Sequence, residues 1–272
     1  MTRDDVDVVI LAHQAGALLL AAVGSALDEV GIAHVIVVDA ASTDGSVAEA
    51  EARFPGLRVI AAENRGFSFG NNLGIAAAHA PFVLLLNPDA ELLPGAVGAL
   101  VSRAEADATI AVVGAKILNP DGSLQANAFG RFPSLAQVLS LRFTRAVERL
   151  AGNRRHSPRD FDAPKRVDWV TGACMLVRRV AIEQVGPLDD GFFLYYEDVD
   201  WCHRMRDAGW EVVVEPAARC IHHLGQTGGD SAIVREAYRA SFMRYCRKYR
   251  LRGLLLLGSL GAAARKAAGG RA

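Results

Sequence analysis

Cysteine is scarce in this 272-residue chain, and its four cysteines stand far apart. They form no Cys-x-x-Cys pair and have no histidine at the spacing of a structural zinc site, so we expect reduced, mostly buried thiols. Charge of one sign is not in excess either, since 30 basic and 30 acidic residues give a formal net charge of +0. Binding to nucleic acid requires an excess of lysine and arginine on some face. The balanced charge therefore argues against a nucleic-acid partner.

Long apolar runs are also missing. No run approaches the roughly 20 residues of a membrane-spanning helix. The first five residues are polar and do not form a signal peptide, which favours a cytoplasmic protein. Near the other end, basic residues between 244 and 252 precede leucines at 254–257. This tail is expected either to pack on the parent domain or to contact the inner face of the cell membrane peripherally.

Apolar residues are plentiful, at 51% of the chain against 22% charged residues, as in a folded enzyme. Between residues 6 and 91, short β-branched runs alternate with helical stretches, which predicts parallel strands joined by crossover helices. The predicted strands are Val6–Ala12, Val35–Asp39, Leu57–Ala61 and Phe82–Leu86. Each ends in a polar or glycine-containing loop, and ligands of open α/β sheets bind at these carboxyl ends.

The second half alternates less regularly. A turn at residues 119–122 and a basic, mobile excursion at Arg142–Arg166 interrupt it. The elements predicted there are a helix at Pro94–Ala106, strands at Ile110–Ala115, Trp169–Val177 and Glu211–Val214, a short helix ending before Gly186, and helices at Glu197–Ala208 and Ser231–Tyr249.

Two acidic residues follow the second predicted strand. Asp39 stands at the strand end, where a carboxylate can accept hydrogen bonds from a nucleobase or a ribose. Asp44 lies in the turn that follows, beside Ser42 and Thr43. Capping of the next helix explains that turn equally well. It leaves Asp39 without a role, and we therefore interpret Asp39 as a nucleotide-binding residue.

A segment rich in glycine and asparagine, residues 64–74, surrounds the start of the next helix. Glycine permits close approach of the backbone, and a helix start offers free N–H groups to an anion such as a diphosphate. Asn64, Gly66 and Asn71 are the candidate binding residues. A tight turn followed by close helix packing would use the same glycines.

The fourth predicted strand ends at Asn87-Pro88-Asp89. Mg²⁺ and Mn²⁺ prefer oxygen ligands and often take one or two carboxylates together with substrate phosphates. Asp89 is therefore a candidate ligand, although a turn residue after proline is an equal alternative. His222 and His223, after a later apolar run, are candidate additional ligands, and structural histidines are common at such positions.

Three carboxylates, at Glu197, Asp198 and Asp200, follow the aromatic residues 192–196. Carboxylates crowded against apolar rings raise one another's pKa, and a carboxylate tuned in this way can act as a general base. The aromatic rings offer a stacking wall for a sugar. Preference of acidic residues for the first turn of a helix is the alternative explanation.

In this order the segments resemble the family 2 glycosyltransferases of the GT-A fold, and within them the bacterial rhamnosyltransferase-like branch. The resemblance runs from residue 6 to residue 227. It is carried by Val-Val-Ile-Leu-Ala at 8–12, Val-Asp-Ala-Ala-Ser-Thr-Asp-Gly-Ser at 38–46, Asn-Arg-Gly-Phe-Ser-Phe-Gly-Asn-Asn-Leu-Gly at 64–74, Leu-Asn-Pro-Asp-Ala at 86–90, Trp-Val-Thr-Gly-Ala-Cys-Met-Leu-Val-Arg-Arg at 169–179 and Tyr-Glu-Asp-Val-Asp at 196–200.

The resemblance implies a Rossmann-like mixed α/β sheet with helices on both faces and a C-terminal helical tail. The GT-A domain would cover residues 1–228, with a nucleotide-sugar half at about 1–115 and an acceptor half at about 116–228. Residues 229–272 would form the C-terminal helix and tail. The implied activity is inverting transfer of a sugar, rhamnose or a similar hexose, from a dTDP- or UDP-sugar to a saccharide or a polyprenyl-linked acceptor.

The resemblance also implies a role for each matched position. On the donor side, Asp39 would hold the base, Asp44 would shape its loop, and Asp89 with His222 or His223 would hold Mg²⁺ or Mn²⁺ at the phosphates. On the acceptor side, Asp198 would be the general base and Glu197 would orient it or contact the acceptor. The residues implied to line the substrate pocket are Asn64, Gly66, Asn71, Asn87, Trp169, Thr171 and Gly172.

The chain departs from the family pattern at three points. Ala12-His13-Gln14 replaces the usual Thr-Tyr-Asn, Ala40 follows the base-binding aspartate, and Asn87-Pro88-Asp89 replaces Asp-x-Asp. A sugar-1-phosphate nucleotidyltransferase and a non-catalytic saccharide-binding homologue are the rival hypotheses. The first would require arginine or lysine after strand one, and the second is disfavoured by the intact Asp39, Asp89 and Asp198. No Gly-x-Gly-x-x-Gly follows the first strand, which excludes a Rossmann oxidoreductase.

Overall fold

The computed structural model describes residues 5–126, 128–134, 162–223 and 231–256. Strands and helices alternate through its first half, and the four strands predicted between residues 6 and 91 are confirmed, two of them with the predicted bounds. In chain order the elements are β1 Val6–Ala12, α1 Ala17–Leu27, β2 Ile32–Ala40, α2 Ser46–Arg53, β3 Arg58–Ala62, α3 Phe67–Ala77, β4 Phe82–Leu86, β5 Ala90–Leu92 and α4 Ala96–Ala106.

The second half departs from prediction in three places. The strand predicted at 169–177 is broken at residues 171–173, the strand predicted to end at Val214 continues to His222, and the end of the predicted excursion forms a strand. Residues 142–161 of that excursion lie outside the described residues. The elements are β6 Ile110–Leu118, β7 Phe129–Gly130, β8 Lys165–Val167, β9 Trp169–Val170, β10 Cys174–Arg178, α5 Arg179–Val185, α6 Glu197–Asp207, β11 Glu211–His222 and α7 Ser231–Lys248.

The main sheet of the described chain has nine strands in the order β3-β2-β1-β4-β10-β6-β11-β5, with β8 paired to β11. Strands β1 to β4 are parallel to one another, and β11 is parallel to β6. Between these two blocks lies β10, antiparallel to both β4 and β6. The carboxyl ends of β1, β2, β4, β6 and β11 therefore share one edge of the sheet with the start of β10. We call this the catalytic edge.

Helices cover both faces of the sheet because successive strand side chains point to opposite faces. Val8 and Ile10 join one apolar cluster, with helices α1 and α4, while Val9 joins the other, with α3, α5 and α6. A third cluster joins α6 to α7 through Phe192, Tyr196, Val199 and Tyr245. The predicted mixed α/β architecture with helices on both faces is confirmed.

Helix α3 lies unusually close to β1. A Cβ atom added at Gly70 would stand 2.3 Å from the Leu11 side chain, and one at Gly74 would stand 2.2 Å from the Val9 side chain. Only glycine permits this approach. These two glycines of the 64–74 segment therefore serve helix packing.

All four cysteines are buried and free of disulfide bonds, as predicted. No helix among the described residues is long and apolar enough to cross a membrane. The predicted basic and leucine-bearing tail is described as far as residue 256.

Candidate functional site

The end of β2 forms one wall of a cavity at the catalytic edge. The Asp39 carboxylate accepts a hydrogen bond from the Ser42 backbone N–H at 2.8 Å and stays partly exposed. The cavity has a volume of about 410 Å³ and is lined by Asp39, Ser42, Gly45, Val47, Ala48, Glu51, Val59 and Ala61. Apolar side chains beside the carboxylates of Asp39 and Glu51 suit a flat, hydrogen-bonding ring such as a nucleobase.

Asp44 joins the loops that follow β1 and β2. One carboxylate oxygen accepts the Gly16 N–H at 2.8 Å, and the other accepts the Ser46 hydroxyl at 2.7 Å. Although burial opposes the shift, these hydrogen bonds lower the pKa of Asp44. Its carboxylate is thus engaged by the protein and shapes the loop beside the cavity.

The loop before α3 is held against the segment that precedes Glu197. Gly66 has a φ of 101°, and a Cβ atom there would stand 2.5 Å from the Phe193 carbonyl oxygen. The next residue, Phe67, donates its N–H to that oxygen at 2.6 Å. The Asn64 side chain accepts the Gly66 N–H at 3.3 Å, and the buried Asn71 side chain donates to the Phe67 carbonyl at 3.0 Å. These candidate substrate-binding residues are therefore engaged in building the loop.

Asp89 and His222 meet at the catalytic edge. The Asp89 side chain is almost fully buried, and its Oδ1 lies 3.2 Å from the His222 Nε2. The Asn87 Nδ2 lies 3.2 Å from the same Nε2, and the Asn87 Oδ1 is buried with no hydrogen-bond partner among the described residues. Three polar side chains from β4 and β11 thus point toward one spot.

His223 takes a separate course because neighbouring residues of a strand point to opposite faces. Its Nε2 lies 2.6 Å from the Glu91 Oε1, whereas the His222 Nδ1 lies 2.8 Å from the Gln125 Oε1. The pairing of β5 with β11 places Ala90 opposite His222. It therefore brings Asp89 and Glu91, the neighbours of Ala90, close to His222 and His223. Of the two candidate histidines, the structure brings His222 to Asp89.

This arrangement fits a divalent cation. If Nδ1 donates to Gln125, the neutral His222 ring turns its Nε2 lone pair toward the buried Asp89 carboxylate, and such a contact is stabilised by a positive charge, either a proton or a metal ion. The described residues contain no cluster of three or more His, Cys, Asp or Glu side chains that could hold a metal. Two protein ligands suffice where substrate phosphates complete the shell.

The acidic pair Glu197 and Asp198 begins helix α6. The Asp198 carboxylate is half-buried and accepts N–H groups from Gly172 at 3.1 Å and from Val199 at 2.7 Å. Burial raises the pKa of Asp198 to about 6, although these hydrogen bonds oppose the shift. Burial and the charge of Asp198 raise the pKa of Glu197 well above its ordinary value. At neutral pH, Asp198 is therefore mostly ionised, and the raised pKa of Glu197 favours its neutral form.

The residues just before this pair are strained. Tyr195 and Tyr196 have φ values of 68° and 67°, a left-handed conformation that bulky residues rarely adopt. Burial, followed by the negative charges of Glu197 and Asp89, raises the pKa of Tyr195. Tyr195 therefore lies within the field of both carboxylates, which links the acidic pair to the Asp89 end of the site.

The predicted aromatic wall is only partly present. Phe192 and Tyr196 point into the protein and are 0% and 9% exposed, whereas Phe193 and Tyr195 are 49% and 38% exposed. The expectation that the whole cluster faces a sugar is therefore wrong for the two buried rings. They anchor α7 instead, because Phe192 and Tyr196 pack against Tyr245.

The break between β9 and β10 places the remaining candidates. Gly172 donates its backbone N–H to Asp198, and a Cβ atom added at Gly172 would stand 3.4 Å from the Phe67 ring. The Thr171 hydroxyl accepts the Ala173 N–H at 3.4 Å. Trp169 points the other way, and its indole donates to the Arg131 carbonyl at 3.0 Å. Gly172 and Thr171 therefore lie at the catalytic edge, while the polar end of Trp169 is engaged by the β7–β9 ribbon.

Asp39 and Asp89 lie on the same edge, separated by β1. Ala12 pairs with Asp39, and Ile10 pairs with Leu86, which places the residues after Leu86 level with Asp39. Neighbouring strands are about 4.8 Å apart, so roughly 10 Å separates the two positions. One edge of the sheet thus carries both the cavity at Asp39, which is large enough for a nucleobase, and the acidic site at Asp89.

Comparisons with known proteins agree with this geometry. The model of the glycosyl transferase family 2 matches residues 7–186. N-acetylglucosaminyl-diphospho-decaprenol L-rhamnosyltransferase of Mycobacterium tuberculosis is 34% identical over 216 residues, which are 73% of this chain and 69% of that relative. Rhamnosyltransferase WbbL of Escherichia coli K12 is 27% identical over 179 residues, which are 62% of this chain and 65% of that relative.

Solved structures show the same fold. Mannosyltransferase PcManGT from Pyrobaculum calidifontis, solved in complex with GDP-Man and Mn²⁺, has a TM-score of 0.62 at 18% identity and covers 100% of this chain and 77% of its own. GalNAc-T7, solved with UDP, GalNAc and Mn²⁺, has a TM-score of 0.61 at 16% identity and covers 89% of this chain and 48% of its own. The fold is that of the GT-A glycosyltransferases, and the chain belongs to glycosyl transferase family 2.

Proposed function

We propose that this protein is a metal-dependent, inverting glycosyltransferase that moves rhamnose or a similar hexose from a dTDP- or UDP-sugar to a saccharide or polyprenyl-linked acceptor in cell-surface polysaccharide synthesis. The observation that carries the proposal is the pairing of Asp89 with His222 on the catalytic edge, together with the ionised Asp198, which the Gly172 N–H holds near the start of β10 on the same edge. The names of the relatives from M. tuberculosis and E. coli support the choice of rhamnose.

On the donor side, Asp39 would accept a hydrogen bond from the base while the ring occupies the adjoining cavity. Asp89 and His222 would hold Mg²⁺ or Mn²⁺ at the phosphates, with Asn87 beside them. The cation would neutralise the charge that develops on the leaving diphosphate. Asp44 and the loop at Asn64, Gly66 and Asn71 would stabilise the conformation of the loops around the donor.

On the acceptor side, Asp198 would remove the proton from the attacking hydroxyl. The hydroxyl oxygen forms the new bond to the anomeric carbon as the bond to the diphosphate breaks, and attack from the opposite face inverts that carbon. The Gly172 N–H holds the Asp198 carboxylate at 3.1 Å, and burial, followed by the charge of Asp198, raises the pKa of the neighbouring Glu197 and so favours its neutral form. Residues 1–115 would thus bind the donor and residues 116–228 the acceptor.

Peripheral contact with the inner face of the cell membrane is the second part of the proposal. Arg247, Arg250 and Leu256 are all exposed, Leu256 by 67%. Basic charge beside an exposed leucine favours an anionic lipid surface, while Leu254, at 2% exposed, is buried. Flotation with vesicles that contain anionic lipid should carry the protein upward, and vesicles of neutral lipid should not; equal flotation with both would contradict this part.

A donor-by-acceptor panel tests the transfer. Purified protein with Mn²⁺ or Mg²⁺ is incubated with dTDP- and UDP-sugars and with a saccharide linked through diphosphate to a polyprenol, and products are measured by mass spectrometry. We expect transfer from a dTDP- or UDP-hexose that is abolished by chelation, with inverted anomeric configuration by NMR. Absence of turnover with every donor would overturn the assignment, and release of pyrophosphate from a nucleoside triphosphate would replace it with a nucleotidyltransferase.

A further inference from the structure

Gln125 is a buried polar residue that the proposed mechanism does not use. It is only 8% exposed and follows the turn at residues 119–123. Its backbone N–H donates to the Ile117 carbonyl at 3.0 Å, which fixes it at the end of β6. Its side chain contacts His222, which is 97 residues away in sequence.

The orientation of the Gln125 amide follows from its neighbours. The Nε2 donates to the His222 carbonyl at 3.1 Å and to the Asn119 Oδ1 at 3.2 Å. A backbone carbonyl can only accept, and the Asn119 amide nitrogen is already directed to the Ser123 hydroxyl at 2.9 Å. The nitrogen of Gln125 must therefore face these two groups, and its oxygen must face the His222 Nδ1 at 2.8 Å.

A carbonyl oxygen at that distance requires a donor, so Nδ1 carries the hydrogen. Because the hydrogen bond at one ring nitrogen sets the state of the other, Nε2 of the neutral ring is left with its lone pair. The Asn87 Nδ2 and the Asp89 Oδ1 each lie 3.2 Å from this Nε2, so the lone pair can accept from the Asn87 amide or bind a cation held by Asp89. In the opposite tautomer, Nε2–H would donate to Asp89 and occupy the place of a metal ligand.

We propose that Gln125 is a positioning residue that fixes His222 in the Nδ1–H tautomer and so prepares its Nε2 to bind the divalent cation with Asp89. This inference rests on the proposed metal-dependent function. Gln125 acts through His222 and contacts neither the donor nor the acceptor in the mechanism above.

The tautomer can be read without activity and without metal. In protein labelled with ¹⁵N-histidine at pH 8, two-bond ¹H–¹⁵N correlations should show His222 protonated at Nδ1 and bare at Nε2, with its signals identified by their loss in His222→Asn. In Gln125→Leu the ring should change to the Nε2–H tautomer. An Nε2–H tautomer in the unsubstituted protein would overturn the inference, whether or not Gln125→Leu folds.

Metal affinity provides a second measurement. In the presence of UDP or dTDP, Gln125→Leu should bind Mn²⁺ about 10- to 100-fold more weakly, by calorimetry or by the EPR signal of free Mn²⁺. The matched control is Gln184→Leu, because the exposed Gln184 also accepts from a ring nitrogen, that of Trp210 at 2.9 Å. Unchanged affinity in Gln125→Leu would contradict the inference. Failure of the unsubstituted protein to bind Mn²⁺ would overturn the metal site itself, whatever the tautomer.

Discussion

Glu197 and Asp198 are neighbours in sequence, but their surroundings give them different hydrogen-bond partners. Gly172 and Val199 donate N–H groups to Asp198, while the buried Glu197 Oε2 has no hydrogen-bond partner among the described residues. Donated N–H groups favour the charged form of Asp198, and burial without them favours the neutral form of Glu197. The sequence predicted a tuned pair here but could not say which member is stabilised as the anion, because that depends on a loop 26 residues away in sequence.

The first prediction concerns this pair. Asp198→Asn should lower kcat by about 10²- to 10⁴-fold, because it removes the general base. Glu197→Gln should retain most of the activity, since burial and the charge of Asp198 favour the neutral form of this carboxyl group, which the amide resembles. Steady-state kinetics of both variants test the assignment. Equal losses would contradict it.

The second prediction concerns pH. Asp198 works only when deprotonated, and burial raises its pKa to about 6. The kcat/KM should therefore be constant from pH 7 to 8 and fall about tenfold per unit once the pH drops below about 6. The same fall in kcat/KM below about pH 6 is expected in Glu197→Gln. A fall that begins only near pH 4, the ordinary range of the pKa of an aspartate, would show that the base is a less buried carboxylate.

Other residues of the site were predicted unevenly. Asp39 and Asp89 could be found from sequence because each ends an apolar strand, and strand ends of a parallel sheet meet at one edge. Gln125 and Glu91 gave no local signal, since their partners come from the distant strand β11. The indole of Trp169 was placed in the pocket by resemblance, but its N–H is directed to Arg131.

At the scale of elements, periodicity predicted the long strands and the helices, whose apolar patterns span many residues. Strand β5 was missed because it has three residues and depends on pairing with β11. The strand predicted at 169–177 is broken because the Gly172 N–H turns out of the sheet to bind Asp198. The local pattern of apolar residues cannot show that a backbone N–H donates to a side chain far away in sequence.

The packing of α3 on β1 yields the third prediction. Gly74→Ala should destabilise the protein by about 1 to 3 kcal/mol, because the added methyl would meet the buried, stiff Val9 side chain at 2.2 Å. Gly24→Ala in α1 is the control, since the nearest atom there is 3.6 Å away in Phe54. The control should be neutral or stabilising by about 0.5 to 1 kcal/mol. Urea unfolding measures both, and equal effects would contradict the packing argument.

The attachment of α7 to α6 yields the fourth prediction. Asp200 is fully buried and contacts Lys248 at 2.7 Å, Arg204 at 3.0 Å and the Tyr249 hydroxyl at 3.0 Å. Asp200→Ala should lower the free energy of unfolding by about 3 kcal/mol, near the lower end for a broken buried ion pair, because both cations keep some access to water. Asp207→Ala, on the same helix but 68% exposed, should change it little.

At the scale of the whole molecule, the proposed donor would span the cavity at Asp39 and the site at Asp89, which lie roughly 10 Å apart along the sheet edge. We expect Mn²⁺ alone and UDP or dTDP alone to stabilise the protein weakly, because each finds only part of its ligands. Together, at 100 times Kd, they should add about 2.7 kcal/mol and raise Tm by roughly 5 to 10 °C. Thermal unfolding tests this fifth prediction, and a synergy that persists in Asp89→Asn would contradict it.

The direction of β10 was not predictable from the chain itself. A crossover helix normally returns the chain so that the next strand is parallel, but β10 runs antiparallel to both β4 and β6, the two strands that flank it. Its apolar pattern is the same in either direction. The direction of β10 is defined only relative to its neighbours β4 and β6, and the sequence does not show that these two strands flank it.

This reversal bears on how such a protein can change its substrate. The stretch from Asn119 to Ala173 joins β6 to β10 and contains the short strands β7, β8 and β9, and both of its ends lie on the rim where the proposed chemistry takes place. Residues outside those three short strands can be exchanged without shifting the register of the long strands β6, β10 and β11. Evolution could therefore rewrite the choice of acceptor in one continuous portion of the gene while the donor half stays as it is.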